Sequence, residues 1–377
     1  QYDTIDSVLN RIPLNVFHKE LDSNASNIPT SPDELQNLHV LARSSFILNH
    51  KDIMAIKTRR QIFSLNITAD DYYKLYVNGH FIAQGPAPSY HDSYYYQTLN
   101  LGTYLTEGKI DYCFAGDLLG QLIATSFGTG SLKIPLLGLY GACATMGEAL
   151  GLGAMTVNAG YGENVLVMAS SHFATAEKEF RFPLAYGNQR PKSATWTVTG
   201  CGAAVVGKYG EKGIARVEGI TTGQVVDAEI RDSMNMGAAM APAAFHTVMQ
   251  NLKDLEITKK QLESGWYDKI ITGDLGKIGK QALAEFIRNE GLEAEEFFMA
   301  CFLEIYDSSD QDTHAGGSGC GCSALVLGAL ILPNIQAGIW RRVLFIPTGA
   351  LLSTVRFNEG QTIPGIAPGI ILEGMGK

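Results

Sequence analysis

The sequence predicts an α/β domain built from two similar halves, preceded by a partial antiparallel β-sandwich. Three observations carry that expectation. Residues from about 55 to 107 hold short runs with a two-residue period, "RQIFSLNITAD", "YYKLYVNGHFIAQG" and "SYYYQTLNLGTYL", broken by Asn78-Gly79 and by "GPAPS", which is the pattern of antiparallel strands joined by tight turns. After residue 108 the pattern becomes apolar strand, glycine turn, small-residue helix and apolar strand, in "IDYCFAGDLL", "ATMGEALGLGAMTVNAG" and "NVLVMASSH". Strands that are apolar on both faces and alternate with helices belong to a sheet covered on both sides. Finally, "IDYCFAGDLLG" (110–120) lines up with "YDKIITGDLGK" (267–277), each with an Asp, an apolar stretch and then Gly-Asp-Leu. Such internal self-similarity marks a duplicated unit.

Taken in order, residues 1–55 carry prolines at 13, 29 and 32 without a clear period and read as loops and irregular strands. Residues 1–108 therefore form the partial sandwich, 109–212 the first α/β half and 213–377 the second. The first half continues from its opening strand to a helix over 144–160, a strand over 164–172 and another in "GAAVVGKY". The second half opens with a strand near 214–222 and a long helix over 238–255, followed by the strand "DKIITGDLG" and the helix "IGKQALAEFIRNEG". The strand in "RRVLFIPTGALL" and a closing strand in "GIAPGIILEG" complete it. The first copy of the repeat is preceded by hairpins where the second is preceded by a strand and a long helix.

Composition narrows the function classes. A chain of 377 residues with 46% apolar content has ample material for a core. Its net charge of −9 and the lack of a dense Lys/Arg block argue against a nucleic-acid groove or a polybasic lipid anchor. The longest apolar stretch, "SALVLGALILP", stops at Pro333 and is too short to span a bilayer, which leaves peripheral attachment open. The first ten residues have neither the charged start nor the apolar segment of a leader, so location is weakly constrained. Six irregularly spaced cysteines (113, 143, 201, 301, 320, 322) suit reduced thiols better than a disulfide framework. Cys320-Gly-Cys322 is too tight for a zinc knuckle and has no second Cys/His pair, so no metal site is expected.

Three stretches offer chemistry. In "GLYGACATMGEALGLGAM" a buried strand meets Gly141-Ala142, then Cys143, then a helix of small residues. A thiol at the positive end of a helix has its pKa lowered and sits beside free backbone N–H groups; the reading is a nucleophile or the floor of an anion pocket. The plain alternative is a small buried residue at a helix start. Residues 170–206 gather His172, Glu177, Arg181, Tyr186, Arg190 and Trp196 at the C-terminal end of the next strand, where ligands collect in open α/β sheets. Arginines beside aromatics can take a planar dicarboxylate, with forked guanidinium bonds to the carboxylates and an aromatic face against the ring. A solvated loop with surface ion pairs is the competing explanation for any one of these residues. The third stretch, "YDSSDQDTHAGGSGCGCSA", opens the second-half helix; His314 is either a base or a turn cap. Asp307, Asp310 and Asp312 lack the Gly and Glu spacing of a calcium loop and read as a polar turn.

From about residue 109 onward the chain resembles the stage V sporulation protein AD family of the thiolase superfamily. The resemblance lies in "AGDLLGQLIATSFG", "GLYGACATMGEA", "SSHFATAEKEFRFPLAYGNQRP", "SATWTVTGCGAAVV", "QDTHAGGSGCGCSA" and "PTGALLSTVRFNEGQTIPGIAPG". It implies a thiolase-like fold of duplicated α/β/α/β/α layers with a truncated first half. It also implies a role in moving dipicolinic acid into the developing spore, and binding of that dianion or its calcium chelate by Cys143, His172, Glu177, Arg181, Tyr186, Arg190, His314 and Thr348. Calcium would come with the ligand, and no resident cofactor is implied. The implied partners are dipicolinic acid, other spore dipicolinate-transport proteins at the inner spore membrane, and a second copy of the chain; nucleic acid is not among them. Cys143 stands where thiolases keep their acyl-accepting cysteine. Where those enzymes carry Asn-Glu-Ala-Phe, however, this chain has "TGDLG" (272–276), and where they carry Gly-His-Pro it has Gly316-Gly317-Ser318. Their late Cys-Ile-Gly-Gly-Gly is Phe345-Ile346-Pro347-Thr348-Gly349. Without the second cysteine and the positioned histidine, binding is favoured over turnover, with acyl transfer by Cys143 as the alternative.

Residues from about 40 to 107 resemble the N-terminal β-sandwich of bacterial α-L-rhamnosidase-like glycoside hydrolases, through "ITADDYYKLYVNGHFIAQGPAPSYHDSYYYQTLNLGTYLTEG". That resemblance implies an accessory carbohydrate-binding module and a chain fused from two partial modules. The sporulation family's first strand and long helix have no counterpart ahead of "IDYCFAGDLL". With that strand expected inside the first sheet, its absence predicts unpaired backbone and an open apolar face.

Overall fold

The computed structural model describes residues 110–180, 190–210, 213–307 and 311–375, together with six strand segments between residues 64 and 100 as backbone. The chain divides into two compact units, residues 1–109 with 129–133, and residues 110–128 with 134–377. In the first unit the strands form three antiparallel pairs. β1 (Ser64–Ile67) pairs with β6 (Gln97–Asn100), β2 (Ala69–Val77) with β3 (His80–Ala87), and β4 (Ser89–Tyr90) with β5 (Ser93–Tyr94). Val77 stands opposite His80, the register that the dipeptide between them predicts.

The second unit is mixed α/β, with two sheets of matching topology. In the first, β11 (Gly200–Gly207), β9 (Asn164–Ser171), β7 (Tyr112–Asp117) and β8 (Leu136–Gly138) lie side by side in that order. In the second, the order is β12 (Ala215–Thr221), β19 (Gly369–Gly374), β16 (Arg342–Ile346), β13 (Lys269–Thr272) and β14 (Phe298–Ala300). β7 runs parallel to β8 and β9 as β13 runs parallel to β14 and β16, and β11 is antiparallel to β9 as β19 is to β16. The duplication read from the Gly-Asp-Leu repeat is thus carried through the whole topology.

The helix of small residues, α2 (Thr145–Asn158), lies between the sheets; α1 (Ile123–Thr129) precedes it. A Cβ on Gly153 would come within 2.7 Å of Val167 of the first sheet, and one on Gly151 within 3.5 Å of both Ile370 and Ile220 of the second. Its glycines are therefore the cost of packing one helix between two sheets of β-branched residues. On the far side of the second sheet α4 (Met236–Asp254) crosses α5 (Gly276–Asn289), with α3 (Phe173–Phe180) earlier in the chain. A Cβ on Gly237 would stand 2.0 Å from the carbonyl oxygen of Leu275, so the two backbones meet at that glycine. Ile270, Ile271, Val343, Leu344, Phe345, Ile346 and Ile370 fill the second sheet without exposure.

One expectation is corrected. The opening strand of the complete half, β12, pairs only with β19 and lies at the outer edge of its sheet, so the missing strand of the first half belongs at an edge and not inside the sheet. Among the described residues no strand takes that place: β7, β8 and β9 are paired as in the second sheet, and the outer edge of β11 is bare. The open apolar face is there as well. Val165 and Val167, facing α2, are fully buried, whereas Leu166 and Met168 on the other face are half-buried and their β11 neighbours Ala203 and Val205 are exposed.

Candidate ligand-binding site

Cys143 sits on a bend locked from several sides. Ala142 takes a positive φ of 50°, an uncommon conformation for a residue with a Cβ. The bend is held by Gly141 N–H donating to Thr145 Oγ1 (3.2 Å) and by Thr145 Oγ1 donating to the carbonyl of Ala142 (2.7 Å). From the opposite half, Gly349 of β17 (Gly349–Ala350) is pressed so close that a Cβ there would lie 2.1 Å from the carbonyl oxygen of Gly141.

The end of β13 brings Asp274 to the same place. Asp274 is completely buried, its N–H donates to Thr348 Oγ1 (2.9 Å), and Thr348 is itself without exposure. Neither carboxylate oxygen of Asp274 has a partner at hydrogen-bonding geometry. The thiols of Cys143 and Cys322 and the N–H of Gly319 nevertheless lie near enough to draw its pKa downward, against a burial penalty that lifts it to about 8. The start of α7 (Cys320–Val326) completes the group. Gly319, at φ 96°, directs its N–H toward Cys143, and a Cβ there would lie 2.7 Å from Ser171 Oγ. Cys320 donates its thiol to the carbonyl of Ser170 (2.8 Å), and Ser171 Oγ accepts from Gly321 N–H (3.0 Å). All six cysteines are free thiols.

The lowered thiol pKa expected at this helix start is not what the site produces. Burial first, and then the charge of Asp274, hold Cys143 well above the ordinary thiol value, and the single N–H of Gly319 offsets little of it. Buried Cys301, Cys320 and Cys322 are raised for the same leading reason.

A second group forms around Arg190. Its side chain is 4% exposed, lies 4.0 Å over the ring of Trp196, donates from Nη2 to the carbonyl of Asp312 (3.0 Å) and stands 3.6 Å from that residue's carboxylate. Nε and Nη1 are buried without a hydrogen-bond partner among the described residues. Burial lowers the guanidinium pKa, and Asp312 and the buried Glu177 raise it back. His314 holds Asp312 through Nε2 (2.9 Å) and contacts the carbonyl of Pro191 through Nδ1 (3.0 Å). The two groups are tied by a short parallel ladder, β10 (Trp196–Thr197) against β15 (Gly317–Ser318), which ends one residue before Gly319.

Of the sequence-predicted residues, Cys143 and Thr348 fall in the first group and Glu177, Arg190 and His314 in the second. Arg181 and Tyr186 lie outside the described residues. His172 joins neither group. It is exposed and spends Nδ1 accepting the N–H of Thr175 (3.4 Å) in the first turn of α3, because it sits at that helix's start. Trp196 offers no open face for a ligand ring, since Phe173 stacks on it at 4.5 Å while Arg190 covers it at 4.0 Å. Sequence reasoning passed over Asp274, although the repeated Gly-Asp-Leu motif was its signal, and took Asp312 for part of a polar turn.

Among the described residues no helix is long and apolar enough to cross a membrane, and no cluster of His, Cys, Asp or Glu has metal-binding geometry. Among solved structures the chain is similar to AbyA1, a tetronic acid condensing enzyme, at 18% identity over 70% of this chain and 79% of that one, with a TM-score of 0.46. It is also similar to 3-oxoacyl-[acyl-carrier-protein] synthase III of Aquifex aeolicus VF5, at 11% identity over 70% and 77%, with a TM-score of 0.42. Stage V sporulation protein AD of Bacillus subtilis (strain 168) is 40% identical over 272 residues, covering 72% of this chain and 78% of that protein. The family model for stage V sporulation protein AD matches residues 96–373, and on these two matches the chain belongs to the stage V sporulation protein AD family.

Proposed function

We propose that the chain binds dipicolinic acid, or its calcium chelate, without turning it over, and so serves the loading of that dianion into the developing spore. The observation that carries this reading is Arg190. A guanidinium with a 4% exposed side chain and two nitrogens, Nε and Nη1, that have no hydrogen-bond partner among the described residues is a buried cation with donors left over for a carboxylate. Binding without turnover is supported by Cys143, whose thiol is held protonated by burial and by Asp274 where a nucleophile needs a depressed pKa. On this reading the protein works in the cytoplasm or peripherally at the inner spore membrane, with other dipicolinate-transport proteins and a second copy of itself. Residues 40–107 are read as a partial rhamnosidase-type sandwich fused ahead of the α/β unit. The antiparallel pairs there and the division of the chain at residue 109 support that reading, while the family match begins earlier, at residue 96, and takes in β6.

Isothermal titration of the full chain with dipicolinic acid tests the proposal. The wild type gives a saturable heat, and Arg190→Ala weakens binding by roughly 10- to 100-fold, the cost of a lost charged hydrogen bond. No heat with the wild type, with or without calcium, ends the reading. Incubation with acyl-CoA followed by mass spectrometry leaves Cys143 unmodified; an adduct there would transfer the assignment to acyl transfer.

A further inference from the structure

We propose that Asp274 is a neutral carboxylic acid that donates a hydrogen bond to a ligand carboxylate, so that anion binding at the Cys143 site requires a retained proton. The inference deepens the dipicolinate reading and rests on it for the ligand.

The duplication supplies an internal control. Asp117 and Asp274 occupy the same place in the two halves, each after a glycine at the end of equivalent strands β7 and β13. Asp117 is saturated with donors: it accepts from Leu119 N–H (3.1 Å), Thr125 N–H (3.0 Å) and Thr125 Oγ1 (2.9 Å). Asp274 is more deeply buried and has none at hydrogen-bonding geometry. A buried carboxylate without a counter-charge, whose nearby donors are two thiols and one N–H outside hydrogen-bonding geometry, is costly to ionise, and taking up a proton relieves it.

The surroundings decide in favour of the acid. The groups facing Asp274 are Cys143 ahead of α2, Cys301 at the start of α6 (Cys301–Ile305), Cys320 and Cys322 in α7, Thr348 after β16 and the N–H of Gly319. Asp117 lies beyond Cys320. None of these is a cation, and every ionisable one among them becomes negative on losing its proton. An ionised Asp274 would repel an incoming dianion, whereas the neutral acid offers it an O–H donor of the short, charge-assisted kind. Burial outweighs the nearby thiols and the Gly319 N–H and leaves the acid at about 8, above neutral pH.

The test titrates the full chain with dipicolinate, free of calcium and ionised throughout the range, at several pH values from 6.5 to 9.5. Alongside it, infrared difference spectra of ligand-free wild type against Asp274→Asn follow the carboxyl directly. Wild-type affinity is expected to fall roughly tenfold per pH unit above about 8. Asp274→Asn, which keeps an N–H donor, is expected to bind with little pH dependence, and a protonated-carboxyl band is expected at pH 6.5. Wild-type affinity within twofold across the range, or an ionised Asp274 at pH 6.5, overturns the proposal. Absence of heat at every pH overturns the dipicolinate reading instead, and the infrared band still upholds or overturns the proton on Asp274.

Discussion

At the scale of single residues, position relative to a helix end matters less here than burial. Cys143 was legible as a candidate because a cysteine between a glycine bend and a small-residue helix is an unusual local pattern. Its protonation was not legible, because the carboxylate beside it comes from a strand 131 residues further along the chain, from 143 to 274. That carboxylate also makes stability depend on pH. Asp274 keeps its proton in the folded state up to about 8, while the unfolded chain loses it near the ordinary value of 3.8. Between those limits the native state binds more protons than the unfolded one, so this residue's contribution is complete below about pH 4 and is lost as pH rises toward 8, with a slope approaching 1.4 kcal/mol per pH unit. Thermal unfolding from pH 5 to 8 is therefore expected to show a melting temperature that falls with pH in the wild type relative to Asp274→Asn; parallel profiles would contradict it. Gly319 is equally exacting. At φ 96°, with a Cβ due 2.7 Å from Ser171 Oγ, Gly319→Ala should cost about 1–3 kcal/mol in urea unfolding, and an unchanged midpoint would contradict the strain.

At the scale of elements, strands were legible where apolar runs ended in Gly-Asp, since β7 and β13 lie within the two aligned copies of the repeat. The long helix was legible too: α4 spans Met236–Asp254 against an expected 238–255. The grouping of site residues was not, because nothing local tells that β10 pairs with β15 across more than a hundred residues and pins Trp196 between Phe173 and Arg190. Edge strands show the same dependence on distant partners. β12 is fastened to its sheet by Glu373 of β19, which stands opposite both Arg342 of β16 and Arg216 of β12. The carboxylate accepts from Arg342 Nη2 at 2.9 Å and lies 3.4 Å from Arg216 Nη2. Cross-strand charge pairs of this kind contribute a fraction of a kcal/mol up to about 1. Replacing Glu373 by Gln should speed hydrogen exchange across 215–221 several-fold while leaving β13 unchanged. Uniform exchange rates in the two proteins would show that the pairs do not hold the strand.

At the scale of the whole α/β unit, the two halves differ, among the described residues, by one edge strand and the helix that follows it, and the difference has a measurable signature. In the second sheet β19 lies between β12 and β16, and its residues from Gly369 to Leu372 are buried. Its counterpart β11 is paired through all eight residues to β9 on one side and, among the described residues, to nothing on the other. In an antiparallel ladder the backbone N–H groups of one strand point alternately to its two neighbours. A flanked strand therefore has every amide protected, while an edge strand protects only every second one. Hydrogen exchange resolved by residue should show uniform protection along 369–372 and an alternating pattern along 200–207, with the fast amides of β11 exchanging at rates set by local opening. The half-exposed apolar face beside them, Leu166 and Met168 with the exposed Ala203 and Val205, should add an apolar-dye signal that Val205→Lys diminishes. Uniform protection along 200–207 would mean that a strand covers β11 in solution, and the first half would then be as complete as the second.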